Sequence, residues 1–152
     1  MRSCGGFTLV ELVIVIILLG ILAFTALPRD PGRSIDLGSQ ADQLASDIRY
    51  THSLSMTQGT RHCVYLDTAQ ARYQIRKSSC ATPVAHPATG SSGYIVLSNV
   101  AMVAANISGD LIEFDGKGRP YTLSGTAEIT LSSGGDSRKV LVSPETGRVV
   151  QQ

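Results

Sequence analysis

At 152 residues, 43% hydrophobic and 16% charged, the chain has room for one domain with a modest core beside any anchor. Thirteen basic against twelve acidic residues leave a net charge of +1. Arg29, Arg49, Arg61, Arg119 and Arg148 are scattered among acids, so only a stripe created by folding or assembly would support nucleic-acid binding, and repeats and low-complexity tracts are absent.

The chain opens on Gly5-Gly6 and then an apolar run over residues 7–27, interrupted by one ionisable residue, Glu11. Its 21 residues, at ~1.5 Å rise each, give about 31 Å of helix, the hydrocarbon thickness of a bilayer. A carboxylate in such a helix costs about 2.5–3.5 kcal/mol at the bilayer centre and less near an end, so it calls for a partner. If the chain is cut between Gly6 and Phe7, the new α-amine lies one turn from Glu11 on the same face. Glu11 then complements the positive end of its own helix dipole. Between chains packed side by side, the amine of one and the carboxylate of the next neutralise each other and fix axial register. An ordinary secretory signal or plain signal anchor fits less well. Arg2 is the only charged side chain of the leader, and no small-residue cleavage site follows the run before Pro28. Cys4 lacks the hydrophobic region that would deliver it to an acylating enzyme.

The string G-F-T-L-V-E at residues 6–11 resembles the class III signal of type IV pilins and type II secretion pseudopilins. That resemblance implies cleavage after Gly6 by a membrane-embedded aspartyl prepilin peptidase and N-methylation of Phe7. It also implies that Glu11 pairs with the amino terminus of an adjacent subunit. The implied partners are other pilin or pseudopilin subunits, the prepilin peptidase and an inner-membrane assembly platform. The implied location is the inner membrane, in a single pass with a periplasmic domain, and afterwards a pilus or pseudopilus.

Next come Pro28, Pro31 and Gly32, where missing amide hydrogens and ring crowding predict that the helix kinks or melts, or simply leaves the membrane; Gly38 weakens the following turn. Over 39–58 the spacing of Ala41, Leu44, Ala45, Ile48, His52 and Ser55 predicts an amphipathic helix with one stripe on a sheet. Ser39 with Asp42 reads as its capping box and Gly59 as its stop. His52 reads as an interior or edge histidine rather than a ligand.

Beyond Gly59 the periodicity changes from 3.6 to 2. Residues 61–67 and 71–77 predict a hairpin turning at 68–70. Residues 78–93 form a long loop, and strand signals resume at 94–98 and weakly at 100–104. The last third alternates strand patterns with turns at GKGRP, SGGD and PETG, which predicts an antiparallel meander. If Cys4 leaves with the leader, Cys63 and Cys80 are the remaining cysteines. In an oxidising compartment a bond across their 17-residue separation contributes about 3 kcal/mol; the alternative is two buried thiols. The expected fold is α+β: a long N-terminal helix, membrane anchor plus amphipathic half, packed on an antiparallel β-sheet domain. The divisions are a leader at 1–6, an assembly helix at 7–27, a kinked linker at 28–38, the amphipathic half at 39–58 and a β-rich domain at 59–152.

The order F-D-x-x-G-R-P, I-T-L-S, R-K-V-L-V-S and G-R-V-V across residues 114–150 resembles the C-terminal half of H-type minor pseudopilins and their pilus relatives. The anchor over 15–29 also resembles minor pilins of the mannose-sensitive haemagglutinin pilus.

No constellation points to an enzyme, a cofactor or a metal. His52, His62 and His86 lie in no metal-ligand spacing, and Gly116-Lys117 lacks both the spacing and the hydroxyl of a phosphate loop. The chain is therefore expected to be a minor pilin or pseudopilin subunit without catalytic residues. The alternatives are an H-type secretion pseudopilin, a DNA-uptake minor pilin, which a basic surface stripe would mark, and a membrane-anchored periplasmic binding domain.

Overall fold

The computed structural model describes residues 8–26 and 31–152, and the side chains of 8–23 and 35–152. Gly6, Phe7 and Pro28, expected to carry cleavage, methylation and a kink, lie outside the described residues, as does the side chain of Pro31. The chain divides into two compact units, Met1–Pro31 and Gly32–Gln152.

In the first unit, α1 runs from Leu9 to Ala26, 18 residues with Glu11 as the acid of its first turn. Thr8 stops it. The Glu11 amide donates to Thr8 Oγ1 at 3.3 Å and the Leu12 amide to the Thr8 carbonyl at 3.2 Å, so hydroxyl and carbonyl satisfy donors that a helix start leaves open. At ~1.5 Å rise the described helix is about 27 Å long. Among the described residues no helix is long and apolar enough to cross a membrane, so the spanning expectation for residues 7–27 is not confirmed.

The second unit is built on α2, Pro31–Gln58. The segment expected to be a kinked linker is already helical from Pro31, because proline is tolerated in a first turn, where its absent N–H has no helical acceptor. Ser39 is consequently no cap. It sits two turns inside α2 and its hydroxyl donates to the Asp36 carbonyl at 2.9 Å. The predicted stripe is buried: Ala41, Leu44, Ala45 and Ile48 are wholly covered, joined by Leu37 one turn earlier and by Thr51 and Ser55. Gly59, at φ +62°, closes the helix in the left-handed region.

The hairpin follows as expected. β1 (His62–Asp67) and β2 (Arg72–Lys77) pair from His62↔Lys77 to Asp67↔Arg72. They are joined by a 3₁₀ turn over Thr68–Gln70, which Asp67 Oδ1 caps by accepting from the Gln70 amide at 3.2 Å. The loop after β2 holds β3 (Thr82–Pro83) and β4 (Ile95–Val96), both paired to β2. β5 (Ala101–Ile107) is longer than its weak pattern suggests.

The C-terminal meander is corrected. β6 (Leu111–Phe114) pairs with β1, not with the strand that follows it. The chain then crosses to a second sheet, where β7 (Leu123–Ser133), β8 (Asp136–Val142) and β9 (Val149–Gln151) run as successive hairpins and β5 lies on the other side of β7. The first sheet runs β3-β2-β1-β6 and the second β5-β7-β8-β9, all antiparallel. Burial explains the crossover. Ile112 and Phe114 are fully buried and share one core cluster with Val64, Leu66 and Tyr73, so β6 hides its apolar face best beside β1. Met102, Ile129, Leu131, Val140 and Val142 belong to the same cluster, and the α2 stripe joins the two sheets. A fully buried Leu, Ile or Phe contributes about 1.5–3 kcal/mol. His52 is half-buried with its ring centroid 5.1 Å from that of Phe114.

Two glycines test this packing. A Cβ on Gly38 meets no heavy atom within 4 Å, whereas on Gly116 it would stand 2.5 Å from the Gly59 carbonyl oxygen. Gly38→Ala should raise unfolding stability by about 0.5–1 kcal/mol, and Gly116→Ala should lower it by about 1–3 kcal/mol. Denaturant titration followed by circular dichroism measures both, and equal effects of the two would contradict the contact between the α2 stop and the turn after β6.

Candidate assembly site

On α1 the apolar side chains are uncovered on every side. Twelve large ones between Leu9 and Leu22 are exposed, from 43% at Val15 to 78% at Leu9. A helix that is apolar all round is normally buried in protein or lipid. Glu11 is the third residue of this helix and Thr8 its cap, so Thr8-Leu9-Val10-Glu11 has the spacing of a capping box. Its carboxylate lies in the first turn, near the positive end of the dipole, and has no ion-pair partner among the described residues. Thr8 was legible in the sequence as the first member of T-x-x-E but is absent from the expected site residues.

In the second unit the structure bonds Cys63 to Cys80 with their Cα atoms 5.7 Å apart, within the ordinary range for a bridge. The bond ties the 78–93 loop at its start, where Ser78, Ser79 and Cys80 all have positive φ. Farther along, His86 Nε2 lies 2.8 Å from Asp47 Oδ1 and the Tyr73 hydroxyl donates to Asp47 Oδ2 at 2.6 Å. Asp47, Tyr73 and His86 are all buried. The Ala88 amide donates to His86 Nδ1, so the ring donates through Nε2 to the carboxylate. With Nδ1 engaged by backbone, the trio is a clamp that holds the loop to α2 and β2. Asp47 gives no sequence signal, because a lone acid on a helix is indistinguishable from a solvated one.

Folding does gather a stripe of cations and aromatic rings. The Arg72 guanidinium lies 4.1 Å from the Tyr94 ring centroid and that of Arg76 4.4 Å from the Tyr65 centroid. Arg72 is ion-paired with Asp67 at 2.8 Å, and Arg76 donates to Gln74 and to the Tyr94 hydroxyl. The stripe therefore fastens Tyr94 to the first sheet. Among the described residues no group of three His, Cys, Asp or Glu could hold a metal ion.

At the end of α2 marked by Gly59 lies a cleft of about 440 Å³, lined by Arg61, Arg119, Tyr121, Leu123, Pro144 and Glu145 among others. The Arg61 guanidinium stands 5.2 Å from the Tyr121 ring centroid. Asp115 Oδ1 accepts the Lys117 and Arg119 amides at 2.9 and 2.8 Å, which shapes the turn beneath and holds the Asp115 carboxyl below its usual range. Tyr121 is 47% exposed; partial desolvation, and then the neighbouring Glu113 carboxylate, push its phenol up to about 12.

The family of the prokaryotic N-terminal methylation motif matches residues 1–27. The chain is 32% identical over 122 residues to the type IV narrow pilus major component PilA5 of Thermus thermophilus, across 78% of this chain and 93% of that protein. In fold it is similar to the type IV minor pilin FimU of Pseudomonas aeruginosa PAO1, with a TM-score of 0.58 and 15% identity over 79% of this chain and 90% of FimU. It is similar also to the minor pseudopilin EpsH of the Vibrio cholerae type 2 secretion system, with a TM-score of 0.56 and 9% identity over 77% of this chain and 96% of EpsH. At such identities the two structures speak for the fold alone.

Tyr121 gives this end of the molecule a pH signature. Its folded value lies above the ordinary 10.0, so any stability it contributes is whole below about pH 10 and is lost as pH rises through about 12. Glu113→Gln removes the carboxylate that the phenol faces and should lower the Tyr121 value towards 10. Ultraviolet titration, with Tyr121→Phe to assign the signal, measures the shift; an unchanged midpoint would show that Glu113 does not act on Tyr121.

Proposed function

The chain belongs to the type IV pilin and pseudopilin family, and we propose that it is a minor subunit of a type IV pilus or related filament, cut by prepilin peptidase after Gly6 and methylated on Phe7. The single observation that carries this reading is α1, apolar on every side with one acid in its first turn. Exposed to water, a dozen large apolar side chains cost on the order of 10 kcal/mol or more, so α1 has to be covered. Before assembly the cover is lipid, with residues 7–27 as the span of an inner-membrane protein. After assembly it is the same helix of neighbouring subunits.

Glu11 supplies what apolar packing lacks. Greasy helices slide past one another at little cost, whereas a carboxylate that must meet an amine in a dry bundle has one matching depth. Thr8 defines the start of the helix three residues before it. The clamped loop, the disulfide and the two sheets form the part of the subunit displayed outside the bundle. The C-terminal resemblance to minor subunits favours a minor role, and secretion pseudopilins share the same pattern. A second reading, a subunit repeated along the shaft, is favoured by PilA5, which is named a major component of its pilus.

Two experiments test this function. Mass spectrometry of the N-terminal peptide from cells with the peptidase should find a chain beginning at methylated Phe7; a chain beginning at Met1 or near Pro28 would exclude the processing. Glu11→Val should leave membrane insertion and cleavage intact, because it removes a costly carboxylate from lipid. Its incorporation into sheared filaments should fall by two to three decades, as expected for about 3–5 kcal/mol lost when a buried pair is broken. Equal incorporation of variant and wild type would remove the register role.

A further inference from the structure

The disulfide has a buried acid beside it. In the first sheet Cys63 stands directly opposite Glu113 of β6 on one side and Arg76 of β2 on the other. Residues so paired share one face, with Cβ atoms about 4.5–5.5 Å apart. Their neighbours Val64 and Ile112 point the other way, into the core. The 78–93 loop is fastened over the outer face at Cys80 and, through Gln74, at the Ser92 carbonyl, so Cys63 and Glu113 are only 0% and 7% exposed.

Glu113 Oε1 is buried and has no hydrogen-bond partner among the described residues. The carboxylate faces Tyr121, with the Arg61 guanidinium 5.2 Å from the centroid of that ring, and Arg76 lies beyond Cys63 in the same row. A buried acceptor left open costs stability, and an apolar side chain of the same shape would avoid the cost. Disulfide chemistry gives the open acceptor a use. A thiol attacks a disulfide only as its thiolate, and a thiol as deeply covered as Cys63 cannot pass its proton straight to water.

We propose that Glu113 is the proton acceptor that activates Cys63 when the Cys63–Cys80 bond is made. Cys80, 9% exposed and flanked by the exposed Ser79 and Ala81, reacts first with a disulfide-bearing oxidant, protein or small molecule. Its thiolate bonds to one sulfur of the oxidant and the other sulfur leaves as a thiolate. The Cys63 proton then moves to Glu113 Oε1 and the Cys63 thiolate attacks Cys80 Sγ. The Cys63–Cys80 bond forms as the bond from Cys80 to the oxidant breaks, and the oxidant's remaining sulfur departs as a second thiolate. Two electrons have passed from the cysteine pair to the oxidant, and Glu113 returns its proton to that thiolate or to water. Arg76, on the far side of Cys63, is a cation of the kind that steadies a thiolate. Ser78, Ser79 and Cys80 have φ of +56°, +57° and +66°, a left-handed turn that residues with side chains adopt at a cost. Before the bond exists this turn relaxes and carries Cys80 outwards, while His86 and Ser92 keep the rest of the loop seated.

The test uses the full chain with Cys4→Ser in membrane vesicles, reduced, freed of reductant and mixed with oxidised glutathione. Acid quenching and mass spectrometry separate free thiols, glutathione adduct and closed disulfide. The adduct should form on Cys80, at the same rate with Glu113 and with Glu113→Gln. Closure by Cys63 should be at least tenfold slower in the variant, since a general base is worth ~10²–10⁴ and a thiol ionises in part unaided. Between about pH 6 and 8 closure with Glu113 present should hardly change, whereas with Glu113→Gln it should rise about tenfold per pH unit, because hydroxide then has to take the proton. Glu113→Leu, which fills the buried place without an acceptor, should behave as Glu113→Gln does and replaces it if the amide disturbs folding. Equal closure rates, a steep profile with Glu113 present, or slower closure with an unchanged profile would each overturn the role. An adduct that forms first on Cys63 would overturn the order of events.

Discussion

One helix face holds the second unit together. Leu37, Ala41, Leu44, Ala45 and Ile48 give α2 a buried stripe of 3- and 4-residue spacing, and both sheets send their apolar residues into the same cluster. Neither sheet is large, and a few short strands are marginal without a partner layer. The alanines matter as much as the leucines, because small side chains at 41 and 45 let the helix lie close to the strands. Polar groups then fix what apolar packing leaves loose. Asp47 sits on the same helix and reaches Tyr73 of β2 and His86 of the long loop, so one carboxylate joins three segments that are distant in sequence.

The first unit obeys the opposite rule. Where α2 hides one stripe and leaves a polar back, α1 has no polar side apart from Glu11. Among the described residues no α1 side chain belongs to the core cluster, and its apolar surface calls for cover. Within the proposed filament that cover is supplied by identical or related helices, and the second unit is free to specialise at its surface.

Much of this was legible in the sequence wherever periodicity reports burial. The α2 stripe, the β1–β2 hairpin with its turn at 68–70, and the hairpins of the last three strands follow from spacing and turn residues alone. The pairing of β6 with β1 was not legible, because Leu111–Phe114 reads as an equally good strand for either sheet and both sheets send their apolar residues into one cluster. The start of α2 was missed because Ser39-x-x-Asp42 imitates a cap, while Pro31, a residue usually taken as a breaker, is harmless in a first turn. Among site residues, Glu11 stood out as the one charge in an apolar run. Thr8 and Asp47 did not, since each acquires meaning only from its neighbours in space. Cys63 and Cys80 were the expected pair, and their bond holds a loop whose other anchors are polar.

The most direct test of the filament role is the surroundings of α1 before and after assembly. A small fluorophore on Ile14, exposed in the single chain, can be read in membranes containing brominated lipid and again in purified filaments. If α1 passes from lipid to a bundle of its own kind, emission will be quenched in membranes, and in filaments it will be unquenched with the blue-shifted spectrum of a dry protein interior. A probe that is water-exposed in both states, or still quenched by lipid in the filament, would contradict that passage.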